Sequence, residues 1–526
     1  MIDRREFLNL AVIGAAGSMF RPGEVIGQGR AQNLEELTVA DLGKGMKDGT
    51  LTSVSITSWY LNRIRTGDRA TNSIIELNPD ALSIAASLDR ERRAGKLRGP
   101  LHGIPIVLKD NIDTADKMKT TAGSLALLDA PVPKRDAFLV EQLRRAGAVV
   151  LGKTNLSEWA NFRSSTSTSG WSGRGGQTRN PYILDRNPCG SSSGTGAAIA
   201  ANFAAIGIGT ETDGSIVCPS SICGIVGIKP TVGLISRTGV VPISASQDTA
   251  GPMTRTVADA AVMLSAMTAV DASDPATAKN GAMARTDYET FLKLDGLKGA
   301  VIGVARDFWG KRPEVDKIMD ASLDAMKKAG ATLVDVKFPN LEKFGDAEFE
   351  VLKFEFKDGL EKYLAGRGSL HKNLDDLIKF NNDNAAREMP HFKQEIFESS
   401  AKKGSLATKE YVDARALCVK LTREEGIDAA MNKDKLDAIV APSNAPTWMT
   451  DWVNGDCGSN YISSASLAAV AGYPSITVPA GFLSELPIGI SFFGKPYTEH
   501  ILIRLAYAFE QMTKARRKPK FLATAS

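Results

Sequence analysis

A single α/β/α domain behind a short export segment is the fold the sequence predicts, and three observations predict it. Helix-glycine-strand units recur, most visibly as Arg144-Arg-Ala-Gly-Ala-Val-Val-Leu151 and its echo Lys327-Lys-Ala-Gly-Ala-Thr-Leu-Val334. This is the alternating pattern from which layered α/β sheets are built. No Pro- or Ser-rich linker divides the 526 residues. The composition, 43% hydrophobic and 24% charged, is that of an ordinary soluble protein. A chain this long can bury a large core, and disorder, collagen and coiled coil are excluded. Residues 1–31 read as the export segment and 32–526 as the domain.

The elements follow in chain order. Arg4-Arg5-Glu6-Phe7-Leu8 precedes an apolar stretch from Leu10 to Phe20 and a polar segment ending Gly29-Arg30-Ala31. This resembles a twin-arginine signal with cleavage after Ala31, which implies an exported, periplasmic or secreted protein. The apolar run is shorter than the roughly 20 residues a spanning helix needs, so no stable membrane anchor is expected. Apolar residues then recur at helical spacing over Leu34–Gly49, Ser53–Arg69 and Pro79–Arg93. Pro105–Leu108 reads as a short buried strand, Ala137–Ala146 as a helix closed by Gly147, and Val149–Leu151 as a strand. Ala197–Ala205 reads as a helix, with strand-like runs at Ile206–Ile208 and Ile225–Ile228. Residues 340–430 are helix-rich and charged, with apolar faces around Phe354, Leu360, Leu374 and Leu377, which suggests a covering layer. Strands return at Ala438–Ala441, Ser475–Val478 and Ile488–Phe493, and Ile501–Met512 closes the chain as a helix.

Charge and side-chain chemistry exclude several functions. The 64 basic and 60 acidic residues are interspersed, and removing residues 1–31 leaves 60 against 57. No nucleic-acid or membrane footprint follows from that balance. Cys189, Cys218, Cys223, Cys418 and Cys457 are an odd number in a long chain, so no disulfide framework is expected. His102, His371, His391 and His500 lack metal-ligand spacing, so neither a metal nor a cofactor is expected.

Residues 160–255 differ in kind. Ser, Gly and Thr crowd into Arg163-Ser-Ser-Thr-Ser-Thr-Ser-Gly170, Pro188-Cys-Gly-Ser-Ser-Ser-Gly-Thr-Gly196 and Gly209-Thr-Glu-Thr-Asp-Gly-Ser-Ile216. Apolar runs lie between these loops, so they are parts of a packed domain rather than a linker. Three readings compete. A phosphate turn at Gly194-Thr-Gly196 lacks a third glycine, a leading strand and a Gly-Lys-Ser/Thr ending. A nucleophile elbow at Gly190-Ser-Ser192-Ser-Gly194 lacks the preceding strand and a well-placed histidine. The third reading pairs serines with Lys109, where an apolar strand runs straight into a charged side chain. Desolvation there would lower the lysine pKa until the neutral amine accepts a proton. Taken alone, Lys109 reads as a solvated lysine paired with Asp110 or Asp113, the fate of most lysines.

Four motifs in register override that reading. Gly103-Ile-Pro-Ile-Val-Leu-Lys109-Asp110, Gly152-Lys-Thr-Asn155-Leu-Ser-Glu158, Gly190-Ser191-Ser192-Ser193-Gly194 and Gly209-Thr-Glu-Thr-Asp-Gly214-Ser215-Ile216 resemble the amidase signature family of serine hydrolases. The likeness runs from about Leu34 to the C-terminal helix. It is strongest toward bacterial peptide amidases, which remove the C-terminal amide of peptides, through Ser157-Glu-Trp-Ala-Asn-Phe162, Gly175-Gly-Gln-Thr-Arg-Asn-Pro-Tyr182 and Ser215-Ile-Val-Cys-Pro219. The resemblance implies a central mixed sheet covered by helices. It also implies a Ser–cis-Ser–Lys triad with Ser215 as nucleophile, Ser191 as bridging serine in a cis Gly190-Ser191 peptide, and Lys109 as base.

The same likeness assigns the remaining roles. Backbone N–H groups of Thr212, Asp213 and Gly214, with that of Ser215, would form an oxyanion hole. Ala160 and Trp159 would line the acyl pocket. Ser192 and Trp171 join them as expected substrate-binding residues, and Tyr182 as a further aromatic able to stack on a peptide. One serine of Ser191–Ser193 is expected to cap a helix, and Cys189 and Cys218 to pack as small buried side chains. Two departures stand out: Asp213-Gly214 replaces the two glycines of many members, and Val217 replaces an arginine. The expected activity is hydrolysis of a primary carboxamide, most of all a peptide C-terminal amide. An aryl-acylamide, carbamate or ester hydrolase on the same triad is the alternative, and the amidotransferase component of a tRNA-charging complex a more distant one. The expected partner is a small-molecule or peptide amide substrate.

Overall fold

The computed structural model describes residues 33–456 and 462–525, so the export segment expected at 1–31 lies outside the described residues. The strands among the described residues are β1 (Ile74–Leu77), β2 (Pro105–Lys109), β3 (Val149–Thr154), β4 (Trp171–Ser172), β5 (Gly176–Gln177), β6 (Ile206–Glu211), β7 (Val226–Lys229), β8 (Thr249–Thr254), β9 (Val301–Ala305), β10 (Thr332–Val336), β11 (Ala438–Pro442), β12 (Ser475–Leu483) and β13 (Leu486–Phe493). Eleven of them form the frame, one mixed sheet in the order β1-β3-β2-β6-β8-β7-β12-β13-β11-β9-β10. The other two, β4 and β5, pair as a separate ribbon.

β2 runs parallel to both β3 and β6, whereas β8 is antiparallel to β6 and β7. Strands buried on both faces read as continuous apolar runs, which is why β2, β3 and β6 are wholly buried. The echoed units are real: the helix Phe138–Arg145 feeds β3 and the helix Pro313–Lys328 feeds β10. Gly147 and Gly330 turn the chain between them at φ of +84° and +93°, a region that disfavours a side chain. β1, β8 and β9 fall outside the runs that periodicity marks: β1 is only four residues long, Gly and Pro interrupt β8, and Gly interrupts β9.

Helices cover both faces. Thr38 and Thr52 close capping boxes at the starts of Val39–Lys47 and Ser53–Thr71. The closing helix Glu499–Thr513 buries Leu502, Leu505 and Phe509 against the main core. The expected covering layer exists as helices Gly345–Arg367, Leu374–Asp383, Glu395–Ala401 and Lys409–Val419. Leu360, Leu364, Leu374, Leu377 and Phe397 from this layer pack with Trp159, Phe162 and Ile243 in a second apolar cluster. That cluster sits beside the serine-rich loops. Among the described residues, no helix is long and apolar enough to cross a membrane.

Candidate active site

Register brings Lys109 to its partners. β2 pairs Leu108 with Ile208 of β6, so the next residue on each strand places Lys109 beside the end of β6. Lys109 Nζ donates to Ser191 Oγ at 2.7 Å, to Thr210 Oγ1 at 2.9 Å and to the Thr210 carbonyl at 3.2 Å. The side chain is fully buried. Desolvation draws its pKa down to about 7, while the charges of Glu211 and Asp248 pull it upward. At neutral pH the amine therefore exchanges readily between its two states.

Ser191 follows the one cis peptide found among the described residues, Gly190-Ser191. Its loop lies against that of Ser215, because the Ser192 amide donates to the Ser215 carbonyl at 3.2 Å. Gly194 has no room for a side chain: a Cβ there would sit 2.3 Å from the Asn155 carbonyl oxygen and 2.5 Å from that of Ser73. The glycine-rich composition thus serves close packing of backbone on backbone behind the two serines.

Ser215 stands between β6 and the helix Val217–Ile222. Glu211 holds the turn, its Oε2 accepting from the amides of Ile216 at 2.7 Å and Val217 at 2.9 Å. Asp248 holds the other side, accepting from Thr212 Oγ1 at 2.6 Å and from the amides of Ile243 and Ser244 at 2.8 Å. Burial raises Asp248 to about 6. Gly214 takes φ of +75°, which lets the chain fold sharply just before the nucleophile position.

Thr212, Asp213, Gly214 and Ser215 all line one cavity of about 460 Å³. Ala160, Asn161, Phe162, Ile243, Leu352 and Trp448 supply its apolar and amide walls, and Cys189, Gly190 and Cys218 its floor beside the serines. Among the described residues no histidine lines it, and His102 is buried elsewhere against the Leu88 carbonyl. The Ser-His-acid reading therefore has no base.

A model of the amidase family matches residues 55–503. This chain belongs to the amidase signature family. Within that family it is similar to a probable amidase of Arabidopsis thaliana, 40% identical over 502 residues that cover 93% of each chain. It also resembles the native peptide amidase of Stenotrophomonas maltophilia, with a TM-score of 0.88 and 49% identity, covering 93% of this chain and 99% of that one. A glutamyl-tRNA(Gln) amidotransferase chain of Thermoanaerobacter pseudethanolicus is 33% identical over 503 residues, covering 94% of this chain and 99% of its own. The chain is accordingly an amide-hydrolysing enzyme of the amidase signature fold.

Several expectations about this amidase need correction. Cys189 and Cys218 do not pack as separate thiols; they form a disulfide with Cα atoms 6.0 Å apart. An odd cysteine count carries no information about which pair meets in space. Among the described residues, Cys223 and Cys418 are buried thiols. No serine of the triplet caps its helix: Ser192 stands at the N-cap position, but its hydroxyl donates to the Thr210 carbonyl, and that of Ser193 to the Cys189 carbonyl.

Of the four expected substrate-binding residues, only Ala160 lines the cavity. Trp159 turns into the helical layer, edge-on to Phe397 with ring centroids 5.7 Å apart. Trp171 is enclosed by Phe392, His391 and the Arg163 guanidinium. Ser192 is fully buried behind the site. Tyr182 is likewise buried, its hydroxyl donating to the Arg517 carbonyl. Aromatic residues in Ser/Gly loops read as ligand-facing in sequence, whereas here they serve as packing anchors for those loops. The aromatics that do line the cavity are Phe162 and Trp448, and only the first carries a sequence signal, through its place in the Ser157–Phe162 motif.

Proposed function

We propose that this amidase hydrolyses primary carboxamides, above all the C-terminal amide of peptides, to acid and ammonia through Ser215, Ser191 and Lys109. The observation that carries the reading is the 2.7 Å hydrogen bond from a fully buried Lys109 Nζ to Ser191 Oγ beside the cavity that holds Ser215. A serine hydroxyl is a weak nucleophile at neutral pH and needs an adjacent base. Neutral Lys109 takes the Ser191 proton as Ser191 takes that of Ser215, and Ser215 Oγ attacks the amide carbon. The oxyanion then meets N–H groups of the Thr212–Ser215 turn, where one such donor is typically worth about 100-fold in rate. The Lys109 ammonium returns its proton through Ser191 to the leaving nitrogen, so ammonia departs rather than an amide anion. Water attacks the acyl-enzyme by the same relay and releases the acid.

The peptide amide assignment rests on the likeness to the Stenotrophomonas enzyme and on the apolar side chains Phe162, Ile243 and Leu352 in the cavity wall, against which an acyl chain can lie. Ammonia release from peptide amides, simple carboxamides and anilides is the test. Ammonia from peptide amides with peptide bonds intact, lost in both Ser215→Ala and Lys109→Ala, is the expected result. Turnover of anilides or esters alone would keep the relay and overturn the substrate.

Export is proposed on two grounds: the Arg4-Arg5 segment, and a Cys189–Cys218 disulfide of the kind that persists in oxidising compartments. Fusing residues 1–31 to a reporter should send it across the membrane, and Arg4→Lys with Arg5→Lys should retain it. An amidotransferase role would instead require activity to depend on a partner protein.

A further inference from the structure

Asp213 takes the place where many relatives carry glycine, and the structure shows what meets its side chain. Asp213 lines the cavity beside Ser215, and its carboxyl faces the side chains of Glu348 and Ser466. Glu348 comes from the covering helix Gly345–Arg367 and is buried. Its Oε1 accepts from Gln247 Nε2 at 2.9 Å, and Gln247 Nε2 also reaches the Thr212 carbonyl at 3.3 Å. Two carboxyl groups in contact cannot both ionise, so one proton is shared between them. Burial and the Asp213 charge hold Glu348 well above the ordinary carboxylate range, whereas Asp213 rises only to about 6. Glu348 is therefore the acid that donates and Asp213 the carboxylate that accepts.

The groups that face this pair do not cancel its charge. Glu211 lies on the sheet side with Lys229 of β7, Ser466 on the Ala465–Ala471 helix, and Cys418 on the Lys409–Val419 helix. Around the cavity itself, Asp213 and Asp456 are the ionisable side chains among the described residues, and no lysine or arginine of these lines it. Asp456 is held by the Ser169 amide at 3.0 Å and the Trp448 indole N–H at 3.2 Å. An acyl chain seated against Phe162, Ile243 and Leu352 thus meets two acidic side chains and no cation in the cavity wall among the described residues.

We propose that the Asp213–Glu348 pair is a specificity-determining element that admits neutral or cationic acyl groups and turns away anionic ones. This rests on the amide-hydrolase reading above and names its substrate class more closely. The pair also separates substrate from product: an amide is neutral, while the acid released beside Asp213 carries a like charge and is driven out. A unit charge a few ångströms away at a protein-like dielectric is enough for roughly tenfold discrimination.

The test compares blocked dipeptide amides that differ only in the residue bearing the amide: lysine, glutamine or glutamate. In the parent enzyme, kcat/KM for the lysine amide should exceed that for the glutamate amide by roughly tenfold or more. Asp213→Asn should bring the two rates to within about twofold of each other, whatever its absolute rate. Glu348→Gln, which keeps an N–H to donate to Asp213, should retain the parent ratio. Equal rates for the three amides in the parent enzyme, or an unchanged ratio in Asp213→Asn, would overturn the proposal. Should none of the amides be hydrolysed, the proposed function fails instead, and calorimetric binding of the same panel to Ser215→Ala still decides the charge preference.

Discussion

Lys109 is solvated by protein in both of its states, and that is what fits it to carry a proton. As an ammonium it has three N–H donors and three acceptors in Ser191 Oγ, Thr210 Oγ1 and the Thr210 carbonyl. Deprotonated, it keeps two N–H groups for Thr210 and turns a lone pair toward the Ser191 hydroxyl. Because burial lowers its pKa to about 7, the base is disabled below that pH and freed above it. The acid limb of kcat/KM against pH should have its midpoint near 7. Thr210→Val removes an acceptor that stabilises the charged form, so this limb should move to lower pH; an unmoved limb would show the hydroxyl is not felt by the lysine. Lys109, Ser191 and Ser215 are legible in the sequence because each sits in a motif. Asp248 and Glu348 lie outside every motif, and Thr210 and Glu211 lie inside one that does not say what their side chains hold.

At the scale of elements, the site is two loops tied together. The loop before the helix Ser193–Ala200 carries Ser191, and the turn before Val217–Ile222 carries Ser215. The Cys189–Cys218 disulfide joins them across 29 residues of chain. Removing a native disulfide typically costs about 2–4 kcal/mol. Cys189→Ser with Cys218→Ser should lower Tm measurably and reduce kcat more than it raises KM, because the bond positions the relay rather than the substrate. Reduction of the parent by dithiothreitol should reproduce the kinetic change, and full activity after verified reduction would show the loops hold without it. Glu211→Gln tests the other restraint: losing the charged acceptor of the Ile216 and Val217 amides should lower kcat about tenfold with little change in KM. Most strands and helices are legible from periodicity, including both helix-glycine-strand units. β8 is not, because Thr249-Ala-Gly-Pro-Met-Thr254 has neither alternation nor an unbroken apolar run, and only its place between β6 and β7 makes it a strand.

For the whole molecule, the sheet and the helical layer meet over the cavity. Phe397 is fully buried between Phe356 of the same layer and Trp159. Phe397→Ala should destabilise by about 3–5 kcal/mol, seen as a lower denaturation midpoint. It should also raise KM, since Leu352 of the same layer forms part of the cavity wall. The layer is expected from its apolar faces, and Leu360, Leu374 and Leu377 do point inward as read. Its part in the site stays hidden in sequence, because no local pattern says which loop a helix will cover.

The proposed relay draws all its residues from positions 109–215, while Leu352, Trp448, Ser463 and Ser466 bring the far wall of the cavity from the second half of the chain. Inheritance can therefore act on the two halves at different speeds. Substitution in the later segments would reshape the far wall of the cavity while leaving the proposed proton path in place.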